Sequence, residues 1–333
     1  YDKNVTTLLI CPSGKKNVTI PDTVTTIGDY AFYGCMRLNE IKIPSGLISI
    51  GDFAFYECIG LTSIVMPEGV ERIGKRAFNC CTNLKNIKIP YSVSQVGEEA
   101  FQNTPWIDEN RDRFVIIGNG ILLQYKGYDE IVELPRTIKS IGKRAMEYCG
   151  IPKKIILPNS VKSIQDGAFI GCHSLEEIII TESVTTIGDK AFRDCTSLTS
   201  LVVPASVNKI GAWAFYNCSN LRKVTFMGQT TDLGDNIFAY CTSLASISLP
   251  DTLQKVGFYA FGGCRMAFAH CGCMSEIVLP EGLQEIESMA FAHCLNLKDV
   301  NIPNSVTTIG QNAFQDCDYI SSFVKDIIKK KTK

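Results

Sequence analysis

The sequence has 333 residues, 45% of them hydrophobic and 20% charged, so it can bury a large core and is not typical of a disordered chain. Its 33 lysines and arginines nearly balance its 34 aspartates and glutamates, which argues against a general nucleic-acid binder. No stretch reaches the roughly 18 continuous apolar residues of a membrane-spanning helix. We therefore expect no nucleic-acid partner and no transmembrane segment.

The amino-terminal stretch, residues 1–17, is irregular in sequence, and residues 8–10 look extended. We predict that it caps the first repeat, because the open end of a stack of repeats exposes a sheet edge. Since Tyr1 is not an initiator methionine, we expect that an export signal was removed upstream.

From residue 18 a unit of 23 residues recurs about a dozen times, with the form L-x-x-I-x-I-P-x-x-V-x-x-I-G-x-x-A-F-x-x-C. Ile41 and Ile43 are two residues apart, so both face one side of a short strand, while the residue between them faces water. Pro44 ends the strand because it has no N–H group to donate. Ala54 and Phe55 are adjacent and cannot both face inward from a strand, so we predict a single helical turn there.

One such unit cannot be stable alone, because its few apolar side chains do not offset the entropy of ordering its backbone. Successive units must therefore stack, with their strands about 4.8 Å apart. We predict one continuous solenoid over residues 1–333, with regular repeats at 18–104 and 131–317. A parallel sheet of short strands should form its concave side, and short extended segments with single helical turns its convex side.

Two segments interrupt the repeat, and a third ends it. Within residues 105–130, the stretches 114–117 and 121–125 flank the glycine-rich sequence Gly118-Asn119-Gly120, which predicts an irregular rung with a hairpin. Seven residues are inserted at 265–271, where MAFAHC duplicates residues 289–294. Residues 318–333 have helical spacing and a basic tail, and predict a capping helix; the alternative is a helix that anchors the protein to a surface.

The recurring I-P-x-x-V-x-x-I-G-x-x-A-F-x-x-C motif resembles BspA-like leucine-rich repeats from about residue 18 to residue 317. The resemblance implies a leucine-rich-repeat right-handed solenoid of the α/β horseshoe class. It also implies a cell-surface or secreted, adhesin-like protein that binds a protein or glycoprotein; we expect a monomer. The alternative is a cytoplasmic scaffold or structural spacer. The sequence departs from the motif at Thr104, Met146, Gln165, Thr181 and Glu287.

The chain has 15 cysteines, an odd number in a long chain, which does not suggest a disulfide scaffold. Eleven of them close the repeat motif: Cys35, Cys58, Cys81, Cys149, Cys172, Cys195, Cys218, Cys241, Cys264, Cys294 and Cys317. Cysteines one repeat apart are near enough for a disulfide, but in-register side chains point the same way. We therefore interpret them as buried free thiols that act as small apolar residues.

Little in the sequence indicates catalysis. His270 and His293 lie one repeat apart beside Cys271, Cys273 and Cys294, so a metal site is one interpretation of these residues. The alternative is a duplicated turn, because no C-x-x-C or H-E-x-x-H spacing is present. We predict no catalytic residue, no metal and no cofactor, and a metal- or thiol-dependent enzyme is the least favoured function.

The outward position of each strand forms a line along the predicted sheet, and Ile156, Ile179 and Val202 are three consecutive apolar members of it. Apolar stripes with charged rims often mark contact surfaces. The alternative is that β-branched residues simply favour strands. The predicted binding residues are Lys154, Ile156, Glu177, Ile179, Val202, Lys223 and Thr225.

Overall fold

The structure, a computed structural model, describes residues 1–264 and 275–332. The predicted insertion at 265–271, with His270, Cys271 and Cys273 in and beside it, therefore lies outside the described residues. The chain divides into two compact units, Tyr1–Gly127 and Tyr128–Lys333. A single continuous solenoid with the boundaries predicted above stays a prediction.

The first unit consists of short strands, a hairpin and one helical turn. Its elements are β1 (Thr7–Leu8), β2 (Asn17–Thr19), β3 (Thr26–Ile27), β4 (Glu40–Lys42), β5 (Ser49–Ile50), β6 (Ser63–Val65), β7 (Arg72–Ile73), β8 (Asn86–Lys88), β9 (Gln95–Val96), α1 (Pro105–Asp108), β10 (Phe114–Ile117) and β11 (Ile121–Tyr125). Strands β1, β3, β5, β7 and β9 form one parallel sheet, and β2 pairs with β4 and β6 with β8 in parallel on another side of the stack.

The second unit repeats the same alternation of strands and ends in a helix. Its elements are β12 (Ile131–Glu133), β13 (Ser140–Ile141), β14 (Lys154–Ile156), β15 (Ser163–Ile164), β16 (Glu177–Ile179), β17 (Thr186–Ile187), β18 (Ser200–Val203), β19 (Lys209–Ile210), β20 (Lys223–Phe226), β21 (Asp232–Leu233), β22 (Ser246–Ser248), β23 (Lys255–Val256), β24 (Glu276–Val278), β25 (Glu285–Ile286), β26 (Asp299–Asn301), β27 (Thr308–Ile309) and α2 (Ser322–Lys331). Its parallel sheets include β12-β14-β16, β18-β20-β22 and β21-β23-β25-β27.

Equivalent residues of successive repeats, here called rungs, pair with one another as the sequence predicts. Ile155 is the register partner of Ile178, and Ile164 is the partner of Ile187, each one repeat further along the chain. Within a strand the predicted alternation is also present: Ile64 is buried between the exposed Ser63 and Val65. The described part of the chain therefore has the parallel-strand solenoid architecture of a leucine-rich-repeat protein.

The A-F segment differs from the predicted helical turn. Ala54 and Phe55 are both buried, but they lie in consecutive turns between Phe53 (φ 55°) and Glu57 (φ 57°), which have left-handed backbone conformations. Every second backbone amide of this segment donates to a carbonyl of the next rung, as Phe55 N does to Ala77 O (2.7 Å). The amides between them close turns within the rung. We call this x-x-A-F-x-x-C segment of each rung the turn ribbon.

Stacking of the rungs also determines where the chain needs glycine. A Cβ atom at Gly74 would lie 2.3 Å from the carbonyl carbon of Gly51 in the preceding rung, so the glycine allows two backbones to approach closely rather than forming a bend. Gly118, in the turn of the β10–β11 hairpin, has φ 55°, and a Cβ there would lie 2.1 Å from Val93 O. The strand bounds of this hairpin match those that the sequence indicates.

Two helices follow irregular positions in the repeat. Thr104 replaces cysteine, and its Oγ1 donates to Phe101 O (2.7 Å) and accepts from Ile107 N (3.3 Å), which caps α1. In α2, Ser321 caps the amino terminus, Val324 is buried, and the Lys331 ammonium donates to backbone carbonyls of residues 303, 304 and 306. No helix in the described part of the chain is long and apolar enough to cross a bilayer.

The core of each unit contains a column of phenylalanines. In the second unit Phe192 has 0% exposure and stacks between Phe169 and Phe215, with ring centroids 5.0 and 5.3 Å away. The first unit has the same arrangement for Phe32, Phe55 and Phe78. The predicted A-F column is therefore confirmed as core.

Phe192→Ala should lower the free energy of unfolding by about 3–5 kcal/mol, because it removes a buried ring and leaves a cavity that the stacked neighbours cannot fill. Chemical denaturation followed by circular dichroism measures the loss. Phe258→Ala, at an exposed ring of the turn ribbon, is the control and should cost far less. A loss below about 1 kcal/mol for Phe192→Ala would contradict the cavity argument.

Candidate binding surface

The predicted site residues lie on four strands of the second unit. Lys154 pairs in register with Glu177 on the next strand, and their side chains form an ion pair of 2.8 Å. Ile156 is the register partner of Ile179. Further along, Val202 is the partner of Thr225, and Ser200 is the partner of Lys223. We call the outward residues of β14, β16, β18 and β20 the strand face.

Exposure on the strand face is uneven. Ile156 is half-buried, Ile179 is 38% exposed and Val202 is 54% exposed. Between β16 and β18 no regular ladder is formed within the described residues; Thr199 N donates to Glu176 O at 3.3 Å, and the sheet is interrupted there. Ile179 and Val202 therefore lie on either side of a seam between two sheets.

Other rungs show what a β-branched residue looks like at this position without apolar neighbours. Val65 is 62% exposed and pairs with Lys88, and Val278 is 74% exposed and pairs with Asn301. Strand preference alone accounts for such isolated residues. The consecutive run of Ile156, Ile179 and Val202, bordered by Lys154–Glu177 and Lys223, is distinct from them.

The described histidines make simple pairwise contacts. His173 Nδ1 lies 3.4 Å from Thr196 Oγ1, and His293 Nδ1 lies 2.7 Å from Asp316 Oδ2. No group of three or more metal-ligating side chains is arranged around a common point in residues 1–264 and 275–332. The pairing of His270 with Cys271 and Cys273 that the sequence left open lies outside these ranges.

The column thiols have a specific role in the backbone. Cys58 Sγ donates to Phe32 O of the preceding rung (3.1 Å), and Cys218 Sγ donates in the same way to Phe192 O (3.2 Å). The same Phe32 carbonyl also accepts from Cys35 N at 3.0 Å. The thiol thus uses the second lone pair of a buried carbonyl, and the described cysteines are free rather than paired.

Burial raises the pKa of several column thiols, because an ionised sulfur would lose its hydration, whereas a hydrogen bond with the Cys294 thiol lowers the pKa of Cys317. The pKa of Cys35 is raised from 9.0 to about 11, and those of Cys81 and Cys149 to about 12. A thiolate is the reactive form of cysteine, so the raised pKa values make these three thiols inert rather than nucleophilic.

This shift predicts a pH dependence of stability. The folded thiols stay protonated where unfolded ones ionise, so their contribution is complete below pH 9 and is lost as the pH rises towards 11–12. We expect the free energy of unfolding, measured by urea titration, to fall between pH 9 and pH 11. In a Cys81→Ala, Cys149→Ala double variant the free energy of unfolding should fall less steeply with pH. An unchanged pH dependence would contradict the assignment of the fall to the buried thiols.

The turn ribbon carries exposed aromatic side chains that sequence reasoning missed. The four-letter words YAFY, FAFY and WAFY, at residues 30–33, 53–56 and 213–216, are the available signal. In the first unit Tyr30 stacks on Phe53 and Tyr33 stacks on Tyr56, both with centroids 5.1 Å apart. Tyr30 and Phe53 hold left-handed conformations, which are costly for a bulky residue.

Comparison with known proteins gives matches along most of the chain. The family described as "BspA type Leucine rich repeat region" matches six copies, over residues 11–112, 139–267 and 265–330. A leucine-rich repeat protein from Bacteroides ovatus ATCC 8483 is similar at 30% identity over 92% of this chain and 85% of that chain, with a TM-score of 0.49. No curated protein matches the chain at a significant level.

Two further solved structures match most of the chain. A leucine-rich repeat protein from Eubacterium ventriosum ATCC 27560 has 22% identity over 90% of this chain and 82% of that chain, with a TM-score of 0.53. A leucine rich cell surface protein from Faecalibacterium prausnitzii A2-165 has 23% identity over 96% and 90%, with a TM-score of 0.34. The similarity to the Eubacterium ventriosum protein supports the fold alone.

Proposed function

The chain belongs to the BspA-type leucine-rich-repeat family, and from this we propose that it is a non-catalytic binding module whose strand face contacts a protein or glycoprotein. The observation that carries the proposal is the outward apolar run of the half-buried Ile156 and the exposed Ile179 and Val202, with its charged border. An apolar centre with a polar rim is the usual composition of a contact surface.

The charged border favours a partner with both polar and apolar character. The Lys154–Glu177 pair has already neutralised its own charges, so its contribution to binding is orientation rather than net attraction. Lys223 is exposed on the far side of the run, next to the half-buried Thr225. A protein or glycoprotein surface can supply apolar side chains for the centre and acceptors for Lys223, whereas a nucleic acid would require a strongly basic surface.

We place the protein on the cell surface or outside the cell, in line with the adhesin-like role that the family resemblance implies. The alternative is a cytoplasmic scaffold or spacer, and one observation is compatible with it, namely the free thiols in the described rungs. Labelling of intact cells with an antibody against the chain distinguishes the two. Signal only after lysis would favour the cytoplasmic alternative.

Ile179→Asp should weaken partner binding at least tenfold, because it places a charge at the centre of the apolar run. Its free energy of unfolding should change by less than about 1 kcal/mol, since the side chain faces outward. The partner is obtained first by photo-crosslinking from a residue introduced at Val202, and affinity is then measured with the purified partner.

Val278→Asp is the matched control, because Val278 occupies the same position in a rung without apolar neighbours. It should leave affinity unchanged. Equal weakening by both variants would point to general electrostatic repulsion instead of a defined site. A large stability loss for Ile179→Asp alone would show that Ile179 is core.

A further inference from the structure

We infer that the ring pair Tyr30–Tyr33 in the turn ribbon of the first unit is a receptor for a cationic side chain, and that its ligand is an arginine of a partner protein. This site is separate from the strand face and does not depend on the function proposed above. We call the pair the tyrosine wedge.

The second unit contains a ring pair at the same repeat positions, and there the site is filled from within the chain. Trp213 precedes and Tyr216 follows the A-F dipeptide, and their rings are 4.9 Å apart with a tilt of 40°. The Arg193 guanidinium, one rung earlier, lies over both rings, at 6.0 Å from Trp213 and 5.2 Å from Tyr216. Aromatic faces attract a cation at such distances.

The tyrosine wedge has the same form. Tyr30 precedes and Tyr33 follows its A-F dipeptide, and the two rings are 5.8 Å apart with a tilt of 51°. One side of each ring stacks on the next rung, Tyr30 on Phe53 and Tyr33 on Tyr56.

What differs is the residue that the preceding segment offers. Arg193 lies 23 residues before Tyr216, but the segment before the wedge does not follow the 23-residue register: Thr7 pairs with Thr26, and Cys11 N donates to Ala31 O (2.7 Å). No cation–π contact to Tyr30 or Tyr33 is formed within the described residues. Tyr30 is 54% and Tyr33 48% exposed. The wedge therefore has the shape of an arginine site whose arginine is not supplied by the chain.

Two neighbouring features suit a cationic ligand. Asp29, next to Tyr30, is exposed. Its Oδ1 accepts from Asp52 N (2.7 Å), and within the described residues its carboxylate has no ion-pair partner, so it adds negative charge beside the wedge. A Cβ atom at Gly34 would meet nothing within 4 Å, which leaves open space next to Tyr33. A guanidinium is planar and weakly hydrated and stacks on aromatic faces better than an ammonium, which favours arginine over lysine.

The test is an NMR titration of the full chain, labelled on tyrosine rings and tryptophan indole nitrogens. The probe is a short neutral-flanked peptide with a single arginine, compared with peptides that carry citrulline, lysine or trimethyllysine at that position. We expect the arginine peptide to shift the Tyr30 and Tyr33 ring signals and the citrulline peptide to leave them unchanged. Tyr33 does not have a left-handed backbone, so it can be replaced without changing the turn. Tyr33→Leu should weaken binding of the arginine peptide roughly two- to fivefold.

Arg193→Gln provides an independent arm, because it vacates the equivalent pair in the second unit. The chain has two tryptophans, so the indole signal of Trp213 reports this second wedge and that of Trp106 serves as an internal control. We expect the arginine peptide to shift the Trp213 signal in Arg193→Gln and not in the parent protein. Ile179→Asp should leave both titrations unchanged.

Several results would overturn the inference. Equal binding of the citrulline peptide would mean that charge is irrelevant, and binding of trimethyllysine without arginine would indicate a quaternary-ammonium site instead. Unmoved tyrosine signals, or no gain at Trp213 in Arg193→Gln, would show that the ring pairs do not recognise a guanidinium. Circular dichroism of each variant verifies that the rungs remain folded.

Discussion

Each rung of this protein is covered only by its neighbours, and every other property of the structure follows from that constraint. A single repeat has too few apolar side chains to offset the entropy of ordering its backbone, so stability arises where two rungs meet. The contacts there are specific. The Phe32 and Phe55 rings stack 4.8 Å apart, Phe32 N donates to Ala54 O, and the Cys58 thiol donates back to Phe32 O.

The contacts between rungs restrict which side chains fit at the inward positions, and they place no such restriction on the outward positions. On a strand, an outward valine or isoleucine is accommodated without penalty, so its presence carries limited information. In the turn ribbon the left-handed positions penalise bulky side chains by about 1–2 kcal/mol each. An exposed aromatic residue at such a position, such as Tyr30, therefore carries a backbone cost that the exposed Val65 does not.

Much of the fold could be predicted because two periods are written directly into the sequence. The spacing of two between Ile41 and Ile43 gives the strand, and the repeat of 23 gives the register that pairs Lys154 with Glu177. The turn ribbon could not be predicted in the same way. Adjacent Ala54 and Phe55 exclude a strand, but the left-handed sites beside such pairs hold side chains as different as Phe53, Glu57 and Arg144, so no residue type marks them.

The candidate sites likewise have one part that the sequence predicts and one part that it does not. The members of the strand face follow from counting along the repeat. The seam between β16 and β18, in a repeat where Thr181 replaces proline, depends on a strand ladder whose interruption no spacing in the sequence predicts. The tyrosine wedge requires knowing which ring faces the preceding rung and what side chain reaches it. Only the contact of Arg193 with Trp213 and Tyr216 makes the missing cation beside Tyr33 recognisable.

The thiols bear on where such a protein can function. Free cysteines are usually taken to indicate a reducing compartment, yet oxidation proceeds through the thiolate, and burial raises the pKa of Cys81 to about 12. Most column thiols also donate to a backbone carbonyl of the preceding rung, as Cys218 does to Phe192 O. Oxidising such a thiol would first require the rungs to separate. A thiol column of this kind is therefore compatible with the cell surface as well as with the cytoplasm, and the half-buried Cys11, Cys80 and Cys149 are the described cysteines at which an oxidising environment would act first.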